Sequence, residues 1–171
     1  MVGRFGQTVN PTVKNDLWES RLQDDITVMG SESSVQKSVV IKSTRSAVEG
    51  LCHELLAAAA NNFDGDDIFA IHLALEEALL NAMHHGNKQD AAKQITVECL
   101  ITPAKLDISI TDQGNGFDPD DVPDPRREEN LRKCCGGGLL LMRSYMDEVE
   151  YNEAGNCVHM VKYKTKAPNA S

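Results

Sequence analysis

Apolar residues recur every three or four positions through the middle of the chain. This is the spacing of one buried helix face, so it predicts an amphipathic helix. Asp64, Asp66 and Asp67 precede the apolar run, where carboxylates can cap a helix and complement its dipole. We therefore predict a helix that begins after Asp64 and ends at Gly86. Its apolar face consists of Ile71, Ala74, Leu75, Ala78, Leu79, Ala82 and Met83.

Upstream of this helix the pattern predicts one strand and a second helix. Residues Val35 to Ile41 form the strand, and the helix runs from Ser43 to Asn62. Ser46 and Glu49 have the spacing of a capping box near the start of that helix. Its apolar face is predicted to consist of Val48, Leu51, Cys52, Leu55, Leu56 and Ala59.

Downstream of Gly86 the apolar period changes to two, which is typical of strands. One hairpin turns at Thr102 to Lys105, and a second turns at Glu153 to Asn156. A helix from Gly138 to Met146 separates the two hairpins. The strand residues that alternate with polar ones in the first hairpin are Ile95, Val97, Cys99 and Ile101, then Leu106, Ile108 and Ile110.

The order of these elements is strand, two helices, two strands, loop, helix, two strands. Hairpin strands and helices in separate layers predict an α+β fold, a two-layer α/β sandwich with a mostly antiparallel sheet covered by helices on one face. We expect residues 1–34 to form a flexible arm, 35–166 the folded domain and 167–171 a tail. Trp18 is the only tryptophan of the chain and could anchor the arm to a partner.

The net charge of the chain disfavours one class of function, the binding of nucleic acid. A net charge of -9 and a pI near 5.0 disfavour a nucleic-acid-binding surface, which depends on Lys and Arg. No apolar run approaches the length of a membrane span, and no signal peptide is recognisable. The expected location is therefore the cytoplasm.

The cysteines and histidines do not have the spacing of a metal site. Five cysteines, without a CxxC motif, indicate reduced thiols. The adjacent Cys134 and Cys135 could form a redox or metal site, but small apolar filling residues are the preferred interpretation. His84 and His85 are sequence neighbours, which point about 100° apart on a helix and so disfavour a shared metal.

The first candidate motif lies on the central helix. Glu77 and Asn81 are four residues apart and therefore lie on the same face, with His85 four residues further on. The carboxylate can accept a proton, and the amide oxygen beside it can bind a hard cation. Such a pair suits a site for a cation bound to phosphate groups. A solvated polar edge explains the two residues equally well if they are considered alone.

The second motif follows the first hairpin and comprises Asp112, Gly114 and Gly116. Glycines at alternate positions allow close approach of the backbone to a ligand, and Asp112 can accept a hydrogen bond from an exocyclic amino group such as that of adenine. A turn capped by an aspartate is the commoner explanation of this pattern on its own.

The third motif is the run of Gly136, Gly137 and Gly138 with Leu139, immediately before the last helix. Unhindered N–H groups at a helix N-terminus favour phosphate binding. A flexible glycine connector is the alternative. Asp118 to Lys133, which precede the run, are rich in proline and charge and are typical of a lid.

Together these motifs resemble the ATP-binding domains shared by sensor histidine kinases, type II topoisomerase ATPase subunits, mismatch-repair ATPases and the heat-shock chaperone. Within this superfamily the chain is most similar to the small bacterial anti-sigma factors that are also serine/threonine kinases. The resemblance covers roughly Val35 to Lys164 and implies the Bergerat-type ATP-binding fold. It is carried by Glu77-x-x-x-Asn81-Ala82-x-x-His85-Gly86, by Asp112-x-Gly114-x-Gly116, by Gly136-x-Gly138-Leu139 and by Met142-x-x-x-Met146-Asp147-Glu148-Val149.

The resemblance also implies a role for each motif. Asn81 would hold Mg²⁺, Glu77 would be the general base and Asp112 would bind adenine. Gly114 and Gly116 would shape the adenine pocket, and the glycine motif with Gly136, Gly138 and Leu139 would wrap the phosphates of ATP.

The implied activity is that of a Mg²⁺-dependent serine kinase that sequesters a sigma factor and phosphorylates an anti-sigma factor antagonist, as a homodimer. Some members carry an arginine before the glycine motif, where this chain has Cys134-Cys135. An ATP-gated binding module with little phosphotransfer is therefore the alternative. A detached sensor-kinase ATPase domain is disfavoured, because no phosphoacceptor histidine segment is recognisable.

Overall fold

The computed structural model describes residues 34–116 and 137–165. The five described strands form one antiparallel sheet in the order β1-β2-β3-β5-β4. The strands are β1 (Val35–Lys42), β2 (Gln94–Ile101), β3 (Lys105–Asp112), β4 (Glu148–Tyr151) and β5 (Cys157–Tyr163). The helices are α1 (Arg45–Ala59), α2 (Gly65–Asn81) and α3 (Gly137–Tyr145), and a π-helical turn (Ala82–Gly86) follows α2.

One face of the sheet packs against the helices, as the period of two predicts. Alternate residues of β2 and β3 are buried in one core with the apolar faces of α1 and α2. This arrangement confirms the two-layer α+β fold. Fully buried members of the core are Leu55, Ile71, Leu75, Leu79, Ile95, Ile101, Leu106, Ile108 and Ile110.

The start of α2 follows the prediction. Asp64 is the N-cap residue, and its carboxylate accepts a hydrogen bond from the backbone N–H of Asp67 at 2.9 Å. The predicted capping box of the preceding helix is wrong. Helix α1 begins at Arg45 after Thr44, which makes no side-chain cap bond, and Glu49 instead accepts a hydrogen bond from Arg45 Nε at 2.7 Å.

The central helical segment ends at Gly86, as predicted, but the hydrogen bonding of its last turn differs from that of an α-helix. The α-helical hydrogen bonding stops at Asn81 and continues as a π turn, in which the N–H of Asn87 donates to the carbonyl of Ala82 at 2.8 Å. Gly86 does not end the helix by adopting a positive φ, since the left-handed residues here are Lys88 and Gln89. π turns inside helices often occur at functional sites.

Some expectations concern residues outside the described ranges. These are all but the last residue of the arm, the whole tail, the lid, Cys134 with Cys135, and Gly136. Within the described residues Cys52, Cys99 and Cys157 are buried and form no disulfide. Burial raises the pKa of the Cys99 thiol to about 12, so it stays protonated. In the same part of the chain no helix has both the length and the apolar character needed to cross a bilayer.

Candidate functional site

Helices α2 and α3 meet where Glu77 faces Gly138. A β-carbon at position 138 would overlap Glu77 Oε1 and lie 2.6 Å from its Cδ, so the carboxylate occupies the space that glycine leaves open. Gly138 lies in the first turn of α3, which begins at Gly137 and so includes glycines that were predicted to precede it. The structure therefore joins the first and third motifs.

The polar groups of Glu77 and Asn81 are available for a ligand. Both residues are half-buried on the last turns of α2, one helical turn apart. Within the described residues neither side chain makes a hydrogen bond or an ion pair. His85, by contrast, lies in the π turn and is exposed, so it does not continue their stripe.

The second motif is packed against the end of the π turn. A β-carbon at Gly86 would overlap the carboxylate of Asp112, and one at Gly114 would overlap the carbonyl oxygen of Gly86. The backbone N–H of Gly114 donates to Asp112 Oδ1 at 2.7 Å. Gly86 and Gly114 are therefore needed for close approach rather than for an unusual φ.

Gly116 has a backbone conformation that favours glycine. Its φ is +73°, and a β-carbon there would overlap the carbonyl oxygen of Ala154 in the turn between β4 and β5. A side chain at this position would be strained and also collide with the neighbouring turn. The loop after β3 is thus held between the π turn and the second hairpin.

The environment of the Asp112 carboxylate indicates which kind of ligand the site favours. Burial raises the pKa of its carboxyl, and the hydrogen bond from Gly114 and the charge of Lys93 offset only part of this rise. Burial deprives the carboxylate of water, so a ligand that donates a hydrogen bond to it is favoured over an apolar ligand. An exocyclic amino group is such a donor.

Three residues of this region were missed by the sequence analysis. Asn87 and Asn156 hold the backbone on the two sides of Asp112. The pKa of Tyr151 is raised to about 12, mainly by burial and to a lesser extent by the charges of Glu77 and Asp112, against the opposing charge of Arg143. The phenol is therefore within electrostatic reach of both carboxylates. No local pattern marks these three residues, because each acts through a neighbour distant in sequence.

The residues present fit a magnesium–nucleotide complex. Asn81 offers an amide oxygen, and Mg²⁺ at such sites takes one or two protein ligands beside phosphate oxygens. The first turn of α3 has the free N–H groups of a helix N-terminus, which bind phosphate. Within the described residues no group of three or more His, Cys, Asp or Glu side chains is arranged to hold a metal alone.

The chain is similar to proteins of known family. Residues 41–162 match the family described as histidine kinase-like ATPase domain. The serine-protein kinase RsbW of Listeria monocytogenes serovar 1/2a is 32% identical over 116 residues, which are 62% of this chain and 72% of that protein. RsbW of Bacillus subtilis is 29% identical over 113 residues, 62% of this chain and 71% of the relative.

One further relative and one solved structure are also similar to this chain. The anti-sigma F factor of Oceanobacillus iheyensis is 28% identical over 108 residues, 60% of this chain and 73% of its own. A crystal structure of the RsbU and RsbW domains of Rv1364c from Mycobacterium tuberculosis superposes with a TM-score of 0.52 at 17% identity. That match covers 76% of this chain and 32% of the other, and it shows the fold alone. With more than half of its residues matched, the chain belongs to the histidine kinase-like ATPase domain family.

Proposed function

We propose that this protein is an ATP- and Mg²⁺-dependent serine kinase that sequesters a sigma factor and phosphorylates an antagonist of that sequestration on serine. The observation that carries the proposal is the position of Glu77. Its carboxylate has no partner among the described residues, lies against the first turn of α3 at Gly138 and is one helical turn from Asn81. This position supports a role for Glu77 as a base next to the proposed phosphate and metal ligands.

Each motif has a part in holding the nucleotide. Asp112 accepts a hydrogen bond from the adenine amino group, Gly114 and Gly116 leave room for the base, and the glycine motif with Gly136, Gly138 and Leu139 binds the phosphates. Asn81 binds Mg²⁺ through its side-chain oxygen. When bound, the metal neutralises charge on the phosphate oxygens, and positioning supplies most of the remaining catalysis.

Glu77 then performs the proton transfer. The hydroxyl oxygen of the substrate serine forms a bond to the γ-phosphorus, the bond from that phosphorus to the bridging oxygen breaks, and ADP leaves. The proton of the hydroxyl passes to the Glu77 carboxylate. Positioned general bases contribute on the order of 10²- to 10⁴-fold in rate.

The partners follow from the relatives. RsbW is named a serine-protein kinase, and the protein of Oceanobacillus iheyensis is named an anti-sigma F factor. We extend both activities to this chain, as a homodimer in the cytoplasm that acts on proteins rather than on nucleic acid. The net charge of -9 supports the last point.

Phosphotransfer tests the proposal directly. The protein is incubated with Mg²⁺, ATP labelled in its γ-phosphate, and the candidate antagonist encoded nearest to its gene. We expect label on a serine of the antagonist with the wild type and none with Glu77→Gln, which keeps nucleotide affinity. Glu76→Gln is the matched control, because the exposed Glu76 lies next in sequence and faces His72 at 3.9 Å instead of Gly138.

Two results would contradict the proposal. Equal labelling by wild type and Glu77→Gln would exclude the base role. Association with the antagonist that depends on ATP but yields no label would identify the chain as an ATP-gated binding module.

A further inference from the structure

Asn87, the residue after Gly86, is completely buried and uses both ends of its side-chain amide. Its Oδ1 accepts a hydrogen bond from the backbone N–H of Gln113 at 2.8 Å, and its Nδ2 donates to the carbonyl of Gln94 at 2.9 Å. One side chain thus joins the end of the π turn to the start of β2 and to the loop after β3. Satisfied buried amides of this kind hold one arrangement, since losing either bond leaves an unpaired polar group.

A second contact closes this connection into a ring. Gln113 Oε1 accepts a hydrogen bond from the backbone N–H of Gln94 at 2.9 Å, so the two segments that Asn87 bridges are also bonded to each other. The backbone N–H of Asn87 donates to Ala82, which fixes Asn87 to the π turn itself. The position of Gln113, and of its neighbour Asp112, is therefore tied to helix α2.

The opposite side of Asp112 is held by the second hairpin. The N–H of Asp112 donates to the backbone carbonyl of Asn156 at 2.9 Å, and Asn156 Nδ2 donates to the Asp112 carbonyl at 3.3 Å. Asn152 Nδ2 in turn donates to Asn156 Oδ1 at 2.8 Å. This clamp fixes Asp112 to β4 and β5 but makes no bond to the helix that carries Glu77 and Asn81.

We propose that Asn87 is the positioning residue that sets the adenine acceptor at a fixed place relative to the metal and base end of the site. The inference rests on the proposed function. Glu77 and Asn81 lie on α2, and Asp112 lies on the sheet. Asn87 links the two through side-chain hydrogen bonds near the end of α2 that carries Asn81. The start of α2 is joined separately, because Asp67 accepts hydrogen bonds from Thr165 beyond β5. Gly86 also helps to position Asp112, because it packs directly against the Asp112 carboxylate.

The test compares two nucleotides that differ at the adenine amino group. Inosine triphosphate has a carbonyl oxygen in place of that amino group, and this oxygen cannot donate a hydrogen bond to Asp112. Dissociation constants of Mg²⁺-ATP and Mg²⁺-inosine triphosphate are measured by calorimetry for the wild type, Asn87→Leu and Asn87→Asp. We expect the wild type to prefer ATP and both variants to lose about tenfold of that preference, as for a lost hydrogen bond to a charged group.

The ratio of the two dissociation constants distinguishes a role of Asn87 in positioning Asp112 from a role in the stability of the fold alone. Asn62→Leu is the matched control, because Asn62 is also a buried asparagine and lies between α1 and α2, away from Asp112. It should lower the melting temperature without changing the ratio. Asn87→Asp keeps the shape and the acceptor but loses the donor to Gln94, and it decides the matter if Asn87→Leu does not fold.

Two outcomes overturn the inference, and they differ. A wild-type preference for ATP that persists unchanged in both Asn87 variants would leave Asn87 with a structural role only. A wild type that binds both nucleotides equally would instead refute the adenine contact of the proposed function, and the positioning role with it.

Discussion

The carboxylate of Glu77 occupies the space beside Gly138 where a β-carbon would lie, so no side chain can be added at position 138 without moving the carboxylate. This relationship links the residue proposed as the base to the helix terminus proposed to bind phosphate. The contact involves the flexible end of a glutamate side chain rather than backbone. A side chain at 138 should therefore disturb the chemistry more than the fold.

Gly138→Ala should lower phosphotransfer by on the order of 10²-fold, the lower end of what a positioned base contributes. The added methyl group displaces Glu77 Oε1, while alanine favours the helix that Gly138 helps to begin. The melting temperature should change little. Rates with labelled ATP and a thermal melt of the same sample measure both effects.

Gly137→Ala is the control for this experiment, because a β-carbon at Gly137 would have no atom of the described residues within 4 Å. It introduces the same group in the same helical turn and keeps the backbone N–H. If both variants lose activity equally, the cause is the added rigidity of the helix start, and the Glu77 contact is irrelevant to the rate.

Asn81→Ala should abolish measurable binding of Mg²⁺-ATP, whereas Asn81→Asp should retain it in part. Alanine removes the oxygen ligand, and aspartate supplies one at the same place with an added charge. Since Asn81 makes no hydrogen bond within the described residues, its loss should cost little stability. Calorimetry with and without Mg²⁺ measures the change, and full affinity in Asn81→Ala would refute the metal assignment.

Asp112→Asn should stabilise the unliganded protein slightly and weaken ATP binding about tenfold or more. Burial raises the pKa of Asp112 in the folded state, so its ionised form opposes folding at neutral pH, and the fold gains stability as pH falls through the raised pKa. Asparagine removes that charge but keeps an oxygen for the N–H of Gly114. A lower melting temperature with unchanged ATP affinity would contradict this account.

The extent of sequence prediction can be judged from the central helix. Periodicity predicted its buried face, and the aspartates predicted its start, because both depend on residues within one or two turns. The π turn was not predictable in the same way. It places one extra residue before Asn87, whose amide then bonds to Gln94 and Gln113, and those contacts exist only when the sheet has formed.

In the candidate site, too, the features that depend on nearby residues were predictable, and those that depend on tertiary packing were not. Glu77, Asn81 and Asp112 were identified from short motifs, yet the closeness of Glu77 to Gly138 depends on how α2 packs on α3. The capping box failed for a different and local reason, because the helix begins at Arg45 and Ser46 lies inside it. Glu49 had the correct spacing to Ser46 but found a charged partner, Arg45, one helical turn away.

Gly50→Ala should raise the free energy of unfolding by roughly 0.5–1 kcal/mol, the difference between glycine and alanine inside a helix. Gly50 lies within α1, and a β-carbon there would have no atom within 4 Å in the part of the chain that the structure describes. Gly114→Ala is the opposite case, because its β-carbon would overlap the backbone of Gly86. Urea denaturation should show opposite signs for the two variants; two gains would mean that the loop at Gly114 can move freely.

We predict that the ionised carboxylate of Asp107 stabilises the fold and that this contribution is lost in acid. It is buried on β3, where its Oδ1 accepts a hydrogen bond from His159 Nε2 at 2.7 Å and its Oδ2 from Lys105 Nζ at 2.9 Å. Burial by itself raises the pKa of Asp107, but the bonds to His159 and Lys105 outweigh it, so the pKa lies below the usual value.

The sign of the effect follows from this lowered pKa. The ionised carboxylate stabilises the fold above the ordinary aspartate pKa of about 3.9, and that contribution disappears as pH falls through the lower folded-state value. Asp107→Asn should cost on the order of 3 kcal/mol at neutral pH, as for a buried pair that loses one partner. The gap to wild type in urea denaturation should shrink below about pH 4. The exposed Glu153→Gln serves as the control, and a gap that stays constant from neutral to acid pH would show that Asp107 contributes as a neutral group.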